Sequence, residues 1–279
     1  MFKKVLAITL LLVMVLSLAA CKSGPSAQEI VDGVIESLDD IRTYQFDMEM
    51  NIDMAIESED ESFEQSMGMD FSGALDLENR EMRMDMTASM VMFGEDMEVS
   101  GEIYLIGGMV YTMVEDPEMG SIWSKSEIPE GFWEQMNQVE PQIELLKVVQ
   151  VDVIGSEIVE GVDCYVLQLT PDMEQLWQLA MQQAGVTGEE MLPDVAEEYL
   201  QDIFKDLSVK QWIAKDTSFL TKAEIDMAIE LTPEALGYPE EEGIMTMDIA
   251  MDLLAYNYNQ PVSIVLPPEA EEAVMVPIE

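Results

Sequence analysis

Histidine is absent from this chain of 279 residues, cysteine occurs twice, and 12 basic residues stand against 57 acidic ones. Without an imidazole there is no histidine base to activate a nucleophile and no histidine ligand for a transition metal. Neither a Gly-x-Ser-x-Gly elbow nor a phosphate-binding glycine loop occurs, so the two commonest signatures of hydrolase and nucleotide chemistry are missing. A formal net charge of −45 repels phosphate backbones and excludes nucleic acid as a partner. The same charge opposes adsorption of the folded body onto an anionic bilayer. The acidic residues are too numerous for any two to be singled out as a catalytic pair. The sequence specifies architecture far better than chemistry.

What is present begins with a processing segment. Lys3 and Lys4 precede an apolar stretch from Val5 to Leu16 that is too short to span a membrane. Leu18-Ala19-Ala20-Cys21 follows where a cleavage site belongs. A cysteine directly after Leu-Ala-Ala resembles the bacterial lipobox, which implies a signal peptide over 1–20 and acylation of Cys21. Residues 21–25 then form a short tether, and attachment to the membrane comes through this lipid rather than a basic patch. With Cys21 acylated, Cys164 has no partner for a disulfide and is expected to pack as a small hydrophobe.

The stretch from Tyr44 to Ile56 organises the rest. Tyr44, Phe46, Met48, Met50, Ile52, Met54 and Ile56 alternate with Gln45, Asp47, Glu49, Asn51, Asp53 and Ala55. A period of two over so many residues predicts a long strand with one dry and one wet face. Alternation resumes over 63–77, 80–93 and 97–106, with a Gly107-Gly108 hairpin before 109–114, which predicts an antiparallel meander. Further strands are expected at 122–125, 148–159, 162–170, 209–214, 218–231 and 244–258, and 260–266 closes the domain. Long paired strands twist and curl, so the predicted fold is α+β: a large curved antiparallel sheet, a half-barrel, with helices covering its concave face. A single domain is expected over 26–266, followed by an acidic tail at 267–279 that frays.

Helical spacing is found in three places. Ser26-Ala27-Gln28-Glu29 matches a capping box, and Ile30, Val31, Val34, Ile35, Leu38 and Ile41 follow it. Residues 130–146 look mostly helical. Two amphipathic helices are expected between Met173 and Leu207, with Leu176, Trp177, Tyr199 and Phe204 on their apolar stripes. Laid beside a curved sheet, these stripes would close its concave side as a lid.

The 25 methionines concentrate at alternate positions of the first three strands. Gap-filling core is one account, since alternation alone buries them. Another is a cavity lined by flexible thioethers that accept acyl chains of varied shape. Met82, Met84 and Met86 would place three thioethers on one face, but a copper(I) site usually adds His or Cys, so no metal and no cofactor is predicted. The carboxylate runs at 57–61 and 240–242 lack calcium-loop spacing and read as solvated turns.

Several phrases resemble the LolA/LppX/LprG-like lipoproteins and their Gram-positive relatives: Ile103-Tyr104-Leu105, Trp123-Ser124-Lys125, Gly161-Val162-Asp163-Cys164-Tyr165-Val166-Leu167, Gln211-Trp212-Ile213-Ala214-Lys215-Asp216-Thr217 and Asn259-Gln260-Pro261-Val262-Ser263-Ile264. The resemblance implies a half-barrel that binds lipids or acyl chains. The expected function is that of a non-enzymatic, membrane-anchored extracytoplasmic carrier of an apolar ligand, an acylated lipid or other apolar small molecule. Phe46, Met48, Met50, Met69, Met84 and Met86 are expected to form the wall, and Leu176, Trp177, Tyr199 and Phe204 the lid. The alternative is a structural or interaction lipoprotein of the cell envelope with a filled core.

Overall fold

The computed structural model describes residues 24–57, 62–92, 95–116, 120–129, 132–133, 149–171, 203–232 and 243–276. The chain enters through helix α1 (Ala27–Ser37), whose first turn closes as anticipated. The Glu29 amide donates to Ser26 Oγ at 3.2 Å, and the Ser26 amide donates to Glu29 Oε2 at 2.7 Å. These bonds hold the Glu29 carboxyl below the usual carboxylate range. A short 3₁₀ turn, Leu38–Asp40, then delivers the chain to the sheet.

Twelve strands follow among the described residues: β1 (Thr43–Glu57), β2 (Ser62–Asp76), β3 (Glu81–Met92), β4 (Glu95–Ile106), β5 (Met109–Asp116), β6 (Gly120–Glu127), β7 (Val149–Val159), β8 (Val162–Pro171), β9 (Phe204–Ala214), β10 (Leu220–Leu231), β11 (Ile244–Tyr256) and β12 (Val274–Met275). They form one open sheet in the order β12-β6-β5-β4-β3-β2-β1-β11-β10-β9-β8-β7. All pairs are antiparallel except β12 with β6. β1 and β11 meet at the centre because the last long strand returns beside the first.

Register explains why alternation governs the whole sheet. Directly opposed residues share a face, so Met48 aligns with Phe71, Met86 and Leu253, and Met50 aligns with Met69 and Met251. That face is apolar from β1 outward. The other collects acids: Glu49 stands opposite both Asp70 and Asp252, and Asp252 stands opposite Glu224.

Among the described residues, two clusters of buried apolar side chains lie at the β8–β9 end. On the apolar face Ile30 of α1 meets Leu167, Leu169 and Ile213. On the opposite face Cys164, Val166 and Trp212 form a second cluster. Cys164 is fully buried and free, with its thiol facing Val162 O and Thr221 Oγ1, in keeping with its expected role as a small hydrophobe.

Two expectations are corrected. Phe204 begins strand β9 rather than closing a helix: Leu207 and Val209 alternate along the strand, and a register shift between Ala228 and Ile229 of β10 brings Phe204, three residues before Leu207, onto the same face. The tail does not fray over its described residues, 267–276. Pro268–Glu272 forms a 3₁₀ turn with Ala270 fully buried, and β12 pairs with β6 through Val274 and Met275. That pairing covers one edge of the sheet, while β7 at the other edge carries a bulge between Val153 and Gly155. The predicted helices at 130–146 and 173–207 lie outside the described residues except at Phe132, Trp133 and 203–207.

Candidate functional site: an apolar cavity beneath the first helix

Between α1 and the sheet lies a cavity of about 950 Å³. Its floor is Tyr44, Phe46 and Met48 of β1, Leu75 of β2, and Leu253 and Ala255 of β11. Its roof is Val34, Ser37 and Leu38, and the turn at Ser218–Leu220 closes one side with Tyr258. This volume falls in the range of small-ligand pockets, about 300–1,000 Å³.

Local chemistry holds the walls apart. A Cβ placed on Gly33 would lie 3.0 Å from Ser218 Oγ, so this glycine lets α1 approach the turn closely. Ser218 itself has φ +60. Ser37 Oγ donates to Val34 O at 2.8 Å, and its burial is thereby satisfied. On the far side Asn259 (φ +57) clamps the entry to β1. Its Nδ2 donates to Asp40 O at 3.0 Å and its Oδ1 accepts from the Arg42 amide at 2.8 Å.

Four aromatic rings run along one wall. Tyr44 stacks on Tyr258 at 5.7 Å, Phe219 lies 4.7 Å from Tyr258, and Tyr44 lies 6.3 Å from Phe46. Burial raises the Tyr44 phenol, and burial followed by the Tyr44 charge raises that of Tyr258, so both stay neutral. The Tyr258 hydroxyl donates to Leu220 O at 2.6 Å.

Of the wall residues anticipated from sequence, Phe46 and Met48 line this cavity. Met84 continues the Phe46 row through Gly73, and Met86 continues the Met48 row through Phe71. Met50 and Met69 pair in the next row. All four are half-buried on the same face and extend the wall beyond the cavity. Phe204 lies in the row of Met54, Met247 and Ile229, roughly 25 Å along the strands from Phe46 by strand rise. It is therefore no lid over this space. Leu176, Trp177, Tyr199 and Cys21 lie outside the described residues. The roof over the described cavity is α1, which the sequence placed on the sheet without assigning it to a site. Phe219 and Tyr258 stood at the ends of the expected strands 218–231 and 244–258, but they lie just outside β10 and β11, where alternation no longer says which way a ring faces.

No protein of curated function matches the sequence. A family pattern does, over residues 26–274. The chain belongs to a family of unknown function, DUF6612.

Solved structures similar to this DUF6612 chain include members of the group anticipated from its local phrases. Lipoprotein LppX of Mycobacterium tuberculosis is 13% identical at a TM-score of 0.41, with 85% of this chain and 97% of that one covered. LprF of Mycobacterium bovis is 12% identical at 0.40, with 88% and 99% covered. A LolA superfamily protein of Nitrosomonas europaea is 12% identical at 0.23, with 88% and 97% covered. Likeness at this level concerns the course of the chain and assigns no ligand.

The opposite face of the DUF6612 sheet is organised around few cations. Lys222 Nζ bonds Glu224 Oε1 at 2.5 Å, lies 3.4 Å from Asp252 Oδ1 and sits 5.0 Å over the Trp212 ring. The Glu224 bond is the main cause raising its pKa. Among the described residues no group of three or more acidic or thiol side chains is arranged to hold a metal ion.

Proposed function

We propose that this protein is a membrane-tethered carrier or receptor for an apolar ligand, most simply an acylated lipid, held beneath α1. The observation that carries the reading is the cavity of about 950 Å³ floored by Phe46, Met48, Leu75 and Leu253. Each methylene buried there contributes about 0.8 kcal/mol, so a long chain is held without a specific polar contact. Half-buried Met50, Met69, Met84 and Met86 extend that apolar surface for longer chains. Acylation at Cys21 tethers the domain outside the cytoplasm, only a few residues from α1.

The test is uptake of a fluorescent acylglycerol by the full chain in neutral vesicles. Wild type takes up the probe, and Ala255→Phe or Leu38→Trp, which fill the cavity, lose it. A wild-type chain that takes up no probe contradicts the carrier and favours an envelope protein with a filled interior. Loss of metabolic acyl labelling in Cys21→Ala tests the tether.

A further inference from the structure

The rim of the cavity carries charge that discriminates among amphiphiles, an inference that rests on the carrier function above. Asp39 and Glu78 are exposed at the rim. Arg42 is the one cation among the described lining residues, and its Nη1 stands 4.0 Å from Glu78 Oε2. Its charge is thus already faced by a carboxylate, and the rim keeps an excess of negative charge on a chain of net charge −45. Charges within about 8 Å still act on one another at physiological salt.

The interior offers an anion little. Ser37 Oγ and the Tyr258 hydroxyl already donate to the backbone carbonyls of Val34 and Leu220, which leaves the neutral hydroxyls of Tyr44 and Ser218 as the side-chain donors of the inner lining. A carboxylate leaving water needs several donors or a free cation in compensation. A quaternary ammonium, by contrast, is attracted both to carboxylates and to the faces of rings such as Tyr44, Phe219 and Tyr258. A glycerol head makes no demand for a counter-charge.

We propose that the cavity selects amphiphiles whose heads are neutral or cationic and rejects those with carboxylate heads. Selection is set at the rim by Asp39 and Glu78, with Arg42 faced by the latter.

Three photoactivatable probes of identical hydrocarbon chain, bearing trimethylammonium, glycerol or carboxylate heads, are offered to the full chain in phosphatidylcholine vesicles. Labelling of the peptide containing Tyr44 to Met48 is quantified by mass spectrometry against labelling of the vesicle lipid. The ammonium and glycerol probes are expected to exceed the carboxylate by about tenfold, the effect of one unscreened charge at close range. The exposed double change Asp39→Lys with Glu78→Lys inverts that order while leaving the large net charge nearly untouched. A carboxylate probe that equals or exceeds the others overturns the head preference and leaves the carrier standing. An unchanged order in the double variant overturns the assignment to the rim. Absence of label from all three overturns carrier and preference together.

Discussion

Phe46 and Gly73 face each other across β1 and β2, and the ring occupies the space a side chain at Gly73 would need. A Cβ there would lie 2.8 Å from Phe46 Cε1 and Cζ and 2.6 Å from the Arg83 carbonyl oxygen. The ring can rotate away, but the carbonyl belongs to the backbone and cannot. Gly73→Ala is therefore expected to cost about 1–3 kcal/mol in urea unfolding and to reduce probe uptake, because the displaced ring enters the cavity. Gly101→Ala, whose Cβ would lie 2.7 Å from Met113 O, should lose similar stability and keep uptake per folded molecule. Equal uptake in both variants would contradict the role given to the Phe46 ring.

Asn259 ties the entry of β1 to the segment after β11. Asn259→Ala loses both carboxamide bonds and puts at φ +57 a residue that tolerates the left-handed region less well than asparagine. The combined loss is expected to be about 2–4 kcal/mol. Asn259→Gly, which tolerates that backbone, should recover about 1 kcal/mol of it. Denaturant midpoints at unchanged slope measure both, and an alanine variant as stable as wild type would show the clamp to be idle.

The C-terminal segment completes the sheet edge. The Val276 amide donates to Lys125 O at 2.8 Å, and Lys125 Nζ donates to Glu271 O at 3.3 Å. Removing residues 268–279 unpairs the outer edge of β6 and uncovers the site of Ala270. The shortened chain is expected to self-associate in light scattering, as exposed strand edges do. A hydrodynamic size matching that of the full chain would show that the edge needs no cover.

Tyr104 supplies an alkaline limit to stability. It is 2% exposed, donates to Glu102 Oε2 at 2.7 Å, and has Arg83 5.7 Å from its ring centroid. Burial, then the bond to Glu102, raises its pKa from 10.0 to about 12. The folded state therefore holds the proton more tightly than the unfolded chain. This contribution is fully present below pH 10.0 and is lost as the pH rises to about 12. Tyr104→Phe should flatten the fall in stability across that window, as followed by unfolding at stepped pH. A fall as steep as in wild type would place the alkaline limit at other groups, such as Tyr258.

Much of this was legible because the sheet is governed by one rule. The alternation from Tyr44 to Ile56 sets the dry face of β1, and pairing transmits it to Phe71, Met86 and Leu253. The capping box at Ser26 and Glu29 was equally local. What escaped is set by contacts far apart in the chain. The cavity arises where α1 crosses toward β1 and where Ala255 returns opposite Phe46, and neither juxtaposition has a periodic signature. Phe204 was misassigned because its spacing to Leu207 fits a helix, and the register shift that brings the two onto one strand face has no periodic signature. The tail was misassigned because Pro268 and its acidic neighbours read as loop, whereas Ala270 and Ala273 are small enough to be buried there.

Native mass spectrometry of the full chain, released from its own membranes without added lipid, tests the carrier most directly. The expected spectrum contains protein bearing a discrete apolar ligand, and Ala255→Phe yields protein free of it. A wild-type spectrum with no bound mass, or with the same mass retained after the cavity is filled, would contradict a ligand held beneath α1.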